Sequence, residues 1–200
     1  MSRLKPAEPH GLDLIRRISD RTAKRMFGRP LEPMQMVAHH KPLLLGYGAI
    51  GLAHERYSRS VPKRLKELAV LRTAQLVGCE WCLDFGSFIA QKSGVPEEDL
   101  RDLAIWRESS RFDPLDRAVL EYAEAMTRTP VEVPDELFER LREHFDERQM
   151  IELTITISLE NLHSRTNWAL GVESEGFSEG MYCVRPEQQS GTLVPEAVPR

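Results

Sequence analysis

Apolar residues recur three and four positions apart along most of the chain, the period of helices rather than strands. The pattern predicts helices over 12–27, 34–56, 62–77, 80–93, 97–107, 114–128, 134–145 and 147–169. Between them stand breaker-rich stretches: "GRPLEP", "SVP", "VGC", "SGVPEE", "RFDP" and "TPVEVPDE". In "SGVPEEDL" a glycine stops one helix, and a proline followed by acids opens the next. "ELTITISL" (152–159) alone carries strand-like β-branched residues, but its flanks are helical, so it reads as a buried helix. The predicted fold class is all-α. Stretch 43–53, "LLLGYGAIGLA", is apolar nearly all round, more than one small protomer needs to bury, so a homo-oligomer is expected. Residues 64–86 can be laid over 149–171, with Glu67 on Glu152, which suggests a two-helix pseudo-repeat. Beyond Gly171 the periodicity fades, and the tail is expected to be disordered or laid across a neighbouring subunit. The chain thus divides into an N-terminal helical segment (1–33), a main domain (34–177) and an irregular tail (178–200).

A 41% hydrophobic share in 200 residues is enough for a packed core. The net charge of −4 and the interleaving of basic with acidic residues, as in "RRISDRTAKR", leave no footprint for nucleic acid. The longest apolar run is eleven residues with three glycines, too short to span a bilayer, and no apolar leader opens the chain. A cytoplasmic protein without a membrane partner is expected. There, three cysteines argue against a disulfide scaffold and leave catalysis, metal binding or burial.

Two of those cysteines stand together in "GCEWCLDFG". Gly78 is placed to end a helix, and Cys79 to begin the next, where unpaired N–H groups and the positive dipole end favour a thiolate. Cys82 follows one turn on, within disulfide reach. Two buried structural thiols would give the same spacing. A metal site is disfavoured: no second CxxC or HxxxH exists, and the adjacent His39 and His40 would diverge by about 100° on a helix. No metal or other cofactor is expected. Cys183, in the irregular tail, reads as incidental. Glu67 lies on a face with Val70, Leu71, Ala74 and Gly78, where desolvation should raise its pKa and make it a proton acceptor near neutral pH. The bland alternative is a carboxylate turned out to Lys63, Arg64 or Lys66.

Glu67, Cys79 twelve residues later, Cys82 three further and then Asp84 resemble the alkylhydroperoxidase D and carboxymuconolactone decarboxylase family. "NLHSRTNWALGVESEGF" (161–177) is similar to that family's C-terminal region. The resemblance implies an AhpD-like, obligately oligomeric helical bundle. It also implies peroxide reduction or thiol–disulfide exchange, with Cys79 and Cys82 as the redox pair and Glu67 in the proton relay. The partners implied are a peroxide or small disulfide and a dithiol, lipoyl or thioredoxin-type reductant. Helix-dipole arguments favour Cys79 as the attacking thiol, whereas family precedent favours Cys82. The family's peroxidases carry histidines where this chain has Trp81 and Gly86. Glu67 would lie about 18 Å along its helix from the turn, too far to touch a thiol. A histidine at 86 would bridge that distance; glycine leaves a gap for water or for His54, His163 or Asp84. Trp81 reads as a packing residue or as a wall shielding the disulfide. The alternative functions are a decarboxylase-type lyase and a non-catalytic helical oligomer.

Overall fold

The computed structural model describes residues 2–8 and 13–187, and among them there is no strand. Nine helices follow in order: α1 Leu14–Phe27, α2 Glu32–Val37, α3 Lys41–Tyr57, α4 Lys63–Val77, α5 Glu80–Lys92, α6 Glu97–Asp102, α7 Pro114–Thr127, α8 Asp135–Arg142 and α9 Glu147–Leu170. A 3₁₀ turn, Leu103–Ile105, extends α6. The predicted 34–56 segment is two helices, because the His40 ring caps α3 by accepting the Leu43 N–H at 3.4 Å and Pro42 follows in the first turn. The starts of α7 and α9 fall where the sequence supplies caps. Asp113 with Asp116, and Asp146 with Gln149, close reciprocal capping boxes at the starts of α7 and α9.

Helix α4 is the centre of the molecule, packed against α5, α7 and α9. Its Leu68, Leu71 and Ala74 join the core beneath α5 and the C-terminal segment, and its Leu65 and Ala69 join a second core with α7, α8 and α9. A helix buried on all sides must satisfy its polar side chains internally. Arg72, 1% exposed, does so through Glu124, Gln75 and Glu187. Burial alone would raise the Glu124 pKa, but bonds from Arg107 and Trp106 and the Arg72 charge hold it down at about 2.

Two expectations change. Residues 172–187 are ordered and laid on their own chain: the Ser87 hydroxyl accepts the Val184 N–H at 2.9 Å, and Gln91 and Gln75 donate to the Tyr182 and Arg185 carbonyls. Phe177 and Val184, apolar residues with no periodicity around them, are buried in the α5 core. The rest of the tail, 188–200, lies outside the described residues. The repeat also fails to be a repeated two-helix unit: 64–86 folds as helix, turn and helix, whereas 149–171 is the single helix α9 and its cap.

The α9 stretch containing "ELTITISL" is helical, as expected, but buried on one side only. Ile151, Ile155, Leu162 and Trp168 face outward, as do Leu43, Leu45, Ile50 and Leu52 of α3. No helix among the described residues is long and apolar enough to cross a membrane.

Candidate active site

Gly78 ends α4 with φ at 79°, a left-handed conformation that costs glycine nothing, and the chain reverses at once into α5. Cys79 is the N-cap of α5, and its Sγ accepts the Cys82 N–H at 3.2 Å. The two cysteines form a disulfide with Cα atoms 5.3 Å apart, a normal span for such a bond. Both are buried, Cys79 at 1% and Cys82 at 4% exposure. The exposed Trp168 of α9 lies beside Gly78.

Trp81, between the cysteines, belongs to an aromatic wall. It stacks on Phe85 with ring centroids 4.9 Å apart and meets Phe177 edge-on at 6.1 Å. Its indole N–H donates to Glu175 at 2.6 Å, and Glu175 also accepts the Glu32 N–H, tying the start of α2 and the C-terminal segment to the disulfide turn. Asp84 serves the same wall. Its carboxylate accepts five hydrogen bonds, from the hydroxyls of Ser174 and Ser178 and the backbone N–H groups of Glu175, Phe177 and Ser178. Burial raises its pKa, but those donors outweigh burial and hold it below the usual range. A carboxylate so fully engaged is an anchor for the 174–178 loop and a poor proton acceptor, which removes it from the relay candidates.

Gly86 leaves no open gap. A Cβ there would lie 3.0 Å from Cδ2 of the fully buried Leu71, so α4 and α5 approach closely at this point and a side chain at 86 must displace Leu71. The two other imidazole candidates lie on the α3–α9 seam: His54 is hydrogen-bonded to Thr156 at 2.8 Å, and His163 packs against Tyr47. Burial is the largest influence on each and lowers its pKa, so both are held neutral.

Glu67 faces inward, 8% exposed, and burial pushes its pKa up to about 7 despite the charges of Lys63 and Lys66. Of the cations it could have turned out to, Arg64 pairs with Asp99 and Asp116 and Lys66 with Glu152, whereas the Lys63 charge still acts on the buried carboxyl. The partner the sequence reading missed is Glu160 of α9. Its carboxyl accepts from the Ser164 hydroxyl and is pushed up to about 8, first by burial and then by the nearby Glu67. Thr156, Glu160, Ser164 and Asn167, all buried, recur at spacings of four, four and three along an otherwise apolar face. That polar stripe is the signal that would have found them. At its end, Asn167 Nδ2 donates to Cys82 Sγ at 3.4 Å. Glu67 thus acts electrostatically on Glu160, and the polar stripe of α9 runs from Glu160 to Asn167 beside the pair.

On the other side of α5 a groove of about 670 Å³ is bounded by Glu80, Leu83, Arg101, Ser174, Tyr182 and the half-buried free thiol of Cys183. Among the described residues, no three His, Cys, Asp or Glu side chains converge as a metal site requires.

Residues 48–125, which hold Glu67 and both cysteines, match the carboxymuconolactone decarboxylase family. The chain is 37% identical over 137 residues to the uncharacterized protein YnjA of Escherichia coli (strain K12), covering 68% of this chain and 72% of that one. This chain shares its fold with an uncharacterized peroxidase-related protein with an alkylhydroperoxidase AhpD core from Ralstonia eutropha JMP134, with a TM-score of 0.76 at 21% identity over 91% of this chain and 97% of the other. The debrominase Bmp8 shares the fold too, with a TM-score of 0.75 at 19% identity over 86% and 91% of the two chains. An all-helical bundle centred on a buried CxxC turn, with a matching sequence block and matching neighbours, leaves one assignment: the chain belongs to the carboxymuconolactone decarboxylase family and has its AhpD-like fold.

Proposed function

We propose that this protein is a thiol–disulfide oxidoreductase that reduces peroxides, or small disulfides, through the Cys79–Cys82 pair. The observation that carries the reading is the disulfide itself, closed at a helix N-terminus with an N–H donor on each sulfur. In the reduced protein one thiolate attacks the peroxide O–O bond, forming a sulfenic acid as the alkoxide leaves and takes a proton. The second thiol displaces the hydroxyl of that sulfenic acid, closing the disulfide and releasing water. A dithiol donor of lipoyl or thioredoxin type then reduces the disulfide by two exchange steps and leaves as its own disulfide. A reducing, cytoplasmic compartment suits such a cycle.

Glu67, with a pKa of about 7 near working pH, serves as the proton acceptor, and Glu160, which keeps its proton to about pH 8, as the proton donor to the leaving alkoxide. The outward apolar residues of α3 and α9 form the interface of a homo-oligomer.

The test is consumption of hydrogen peroxide and an alkyl hydroperoxide by purified protein supplied with dithiothreitol, dihydrolipoamide or thioredoxin. Turnover abolished by both Cys79→Ser and Cys82→Ser, but kept in Cys183→Ser, is the expected result. Turnover unchanged in either single variant of the pair would overturn the proposal.

A further inference from the structure

The two sulfurs are held by different donors. Cys79 Sγ receives a backbone N–H from its own turn, an arrangement any N-cap cysteine can make. Cys82 Sγ receives a side-chain N–H from another helix, and that donor, Asn167, is itself only 3% exposed. Asn167 is fixed by its place in α9: its carbonyl accepts the Val172 N–H at 3.0 Å in the Gly171 cap, and the segment after that cap is bound to α5 through Asp84. With its backbone held in the helix cap and its side chain buried, Asn167 keeps its amide beside the sulfur.

We propose that Asn167 is a positioning residue of the redox pair: its side-chain N–H stabilises the Cys82 thiolate, the part an imidazole beside the second cysteine would otherwise play. This rests on the redox reading above and adds to it which group sets the acidity of Cys82. In the disulfide the sulfur is a weak acceptor. On reduction it becomes an anion, and the same contact becomes a charge-assisted hydrogen bond in a site with little water.

The ionisable groups on the elements around Cys82 are engaged elsewhere. On α5, Glu80 is exposed and Asp84 holds the 174–178 loop. On α4, Glu67 lies toward Lys63 and Ser93. On α9, Glu160 is bonded to Ser164 and His163 packs on Tyr47. Glu175 accepts from Trp81, and the Arg3 guanidinium donates to the Ala169 carbonyl. Asn167 is the side-chain donor that reaches the sulfur.

The experiment follows the alkylation rate of Cys82 against pH in the reduced Cys183→Ser protein, read by mass spectrometry peptide by peptide. Asn167→Leu removes the donor at similar volume, and Asn167→Asp adds a competing negative charge. The midpoint for Cys82 should rise by about one unit in Asn167→Leu, a tenfold loss of thiolate at a given pH, and further in Asn167→Asp, while that of Cys79 moves less. A merely structural asparagine would move both midpoints together or neither, and either result in folded variants overturns the proposal. Should the variants not fold, the wild type decides: the Asn167 side-chain amide resonances must shift in step with Cys82 ionisation, and resonances that stay put overturn it. Peroxide added to the same reduced sample separates the two claims. Failure of the pair to close defeats the redox reading, whereas the alkylation profile still decides the role of Asn167.

Discussion

Glu160 keeps its proton to about pH 8 because its carboxyl is enclosed beside Ser164 and near Glu67. A carboxyl whose folded pKa is raised costs nothing while both folded and unfolded states are protonated. Its stability contribution is therefore intact below about pH 4.5 and is lost as pH rises through about 8. Glu160→Gln, which retains an acceptor for Ser164, should match the wild type in stability near pH 4 and exceed it by about 1–3 kcal/mol at pH 9. Urea unfolding at the two pH values reads this directly, and a difference that does not grow with pH would mean the carboxyl is hydrated. Gly86 gives a second prediction. Installing the histidine of the family's peroxidases should not speed peroxide reduction, because a side chain there must displace Leu71. Gly86→His should lose about 1–3 kcal/mol by overpacking. Gly86→Ala should fall between that loss and a gain of up to about 1 kcal/mol in helix propensity. A faster, equally stable Gly86→His would show that Leu71 yields. The sequence could place Glu67 on an inward face, because that needs only a helical period. It could not show that Leu71 crowds position 86 or that α9 lines up with the pair, since both depend on how helices distant in the chain dock.

At the scale of elements, the helices were legible because caps and breakers are local. The splitting of 34–56 and the docking of 172–187 were not. The first turns on a histidine cap, and the second on a buried carboxylate ninety residues earlier in the chain gathering a loop with no periodicity of its own. That dependence is testable. Asp84→Ala leaves three backbone N–H groups of the 174–178 loop without acceptors, and should cost about 2–4 kcal/mol. The amides of Glu175, Phe177 and Ser178 should lose hydrogen-exchange protection first. Because the Asp84 pKa is lowered, its contribution is present above about pH 4 and lost as pH falls through the folded value. Acid should therefore loosen the same loop in the wild type, and protection that outlasts Asp84→Ala would place the loop's anchor elsewhere.

In the molecule as a whole, the outward-facing leucines and isoleucines of α3 and α9 are the surface of the proposed homo-oligomer of 22.9 kDa protomers. Light scattering should give a multiple of that mass, and Ile50→Glu with Leu52→Glu should lower it without unfolding the α4 core; a wild-type monomer at micromolar concentration would refute the interface. The proposed function requires Cys79 and Cys82 to exchange between dithiol and disulfide in the folded protein. The most direct measurement is a redox titration in dithiothreitol buffers, quenched by alkylation, with the peptide carrying both residues weighed at each potential. One reversible two-electron transition is expected, with a loss of two hydrogens on oxidation by peroxide and their full recovery with dithiol. A pair that stays reduced in peroxide, passes straight to sulfinic acid, or stays closed against excess dithiol would contradict it.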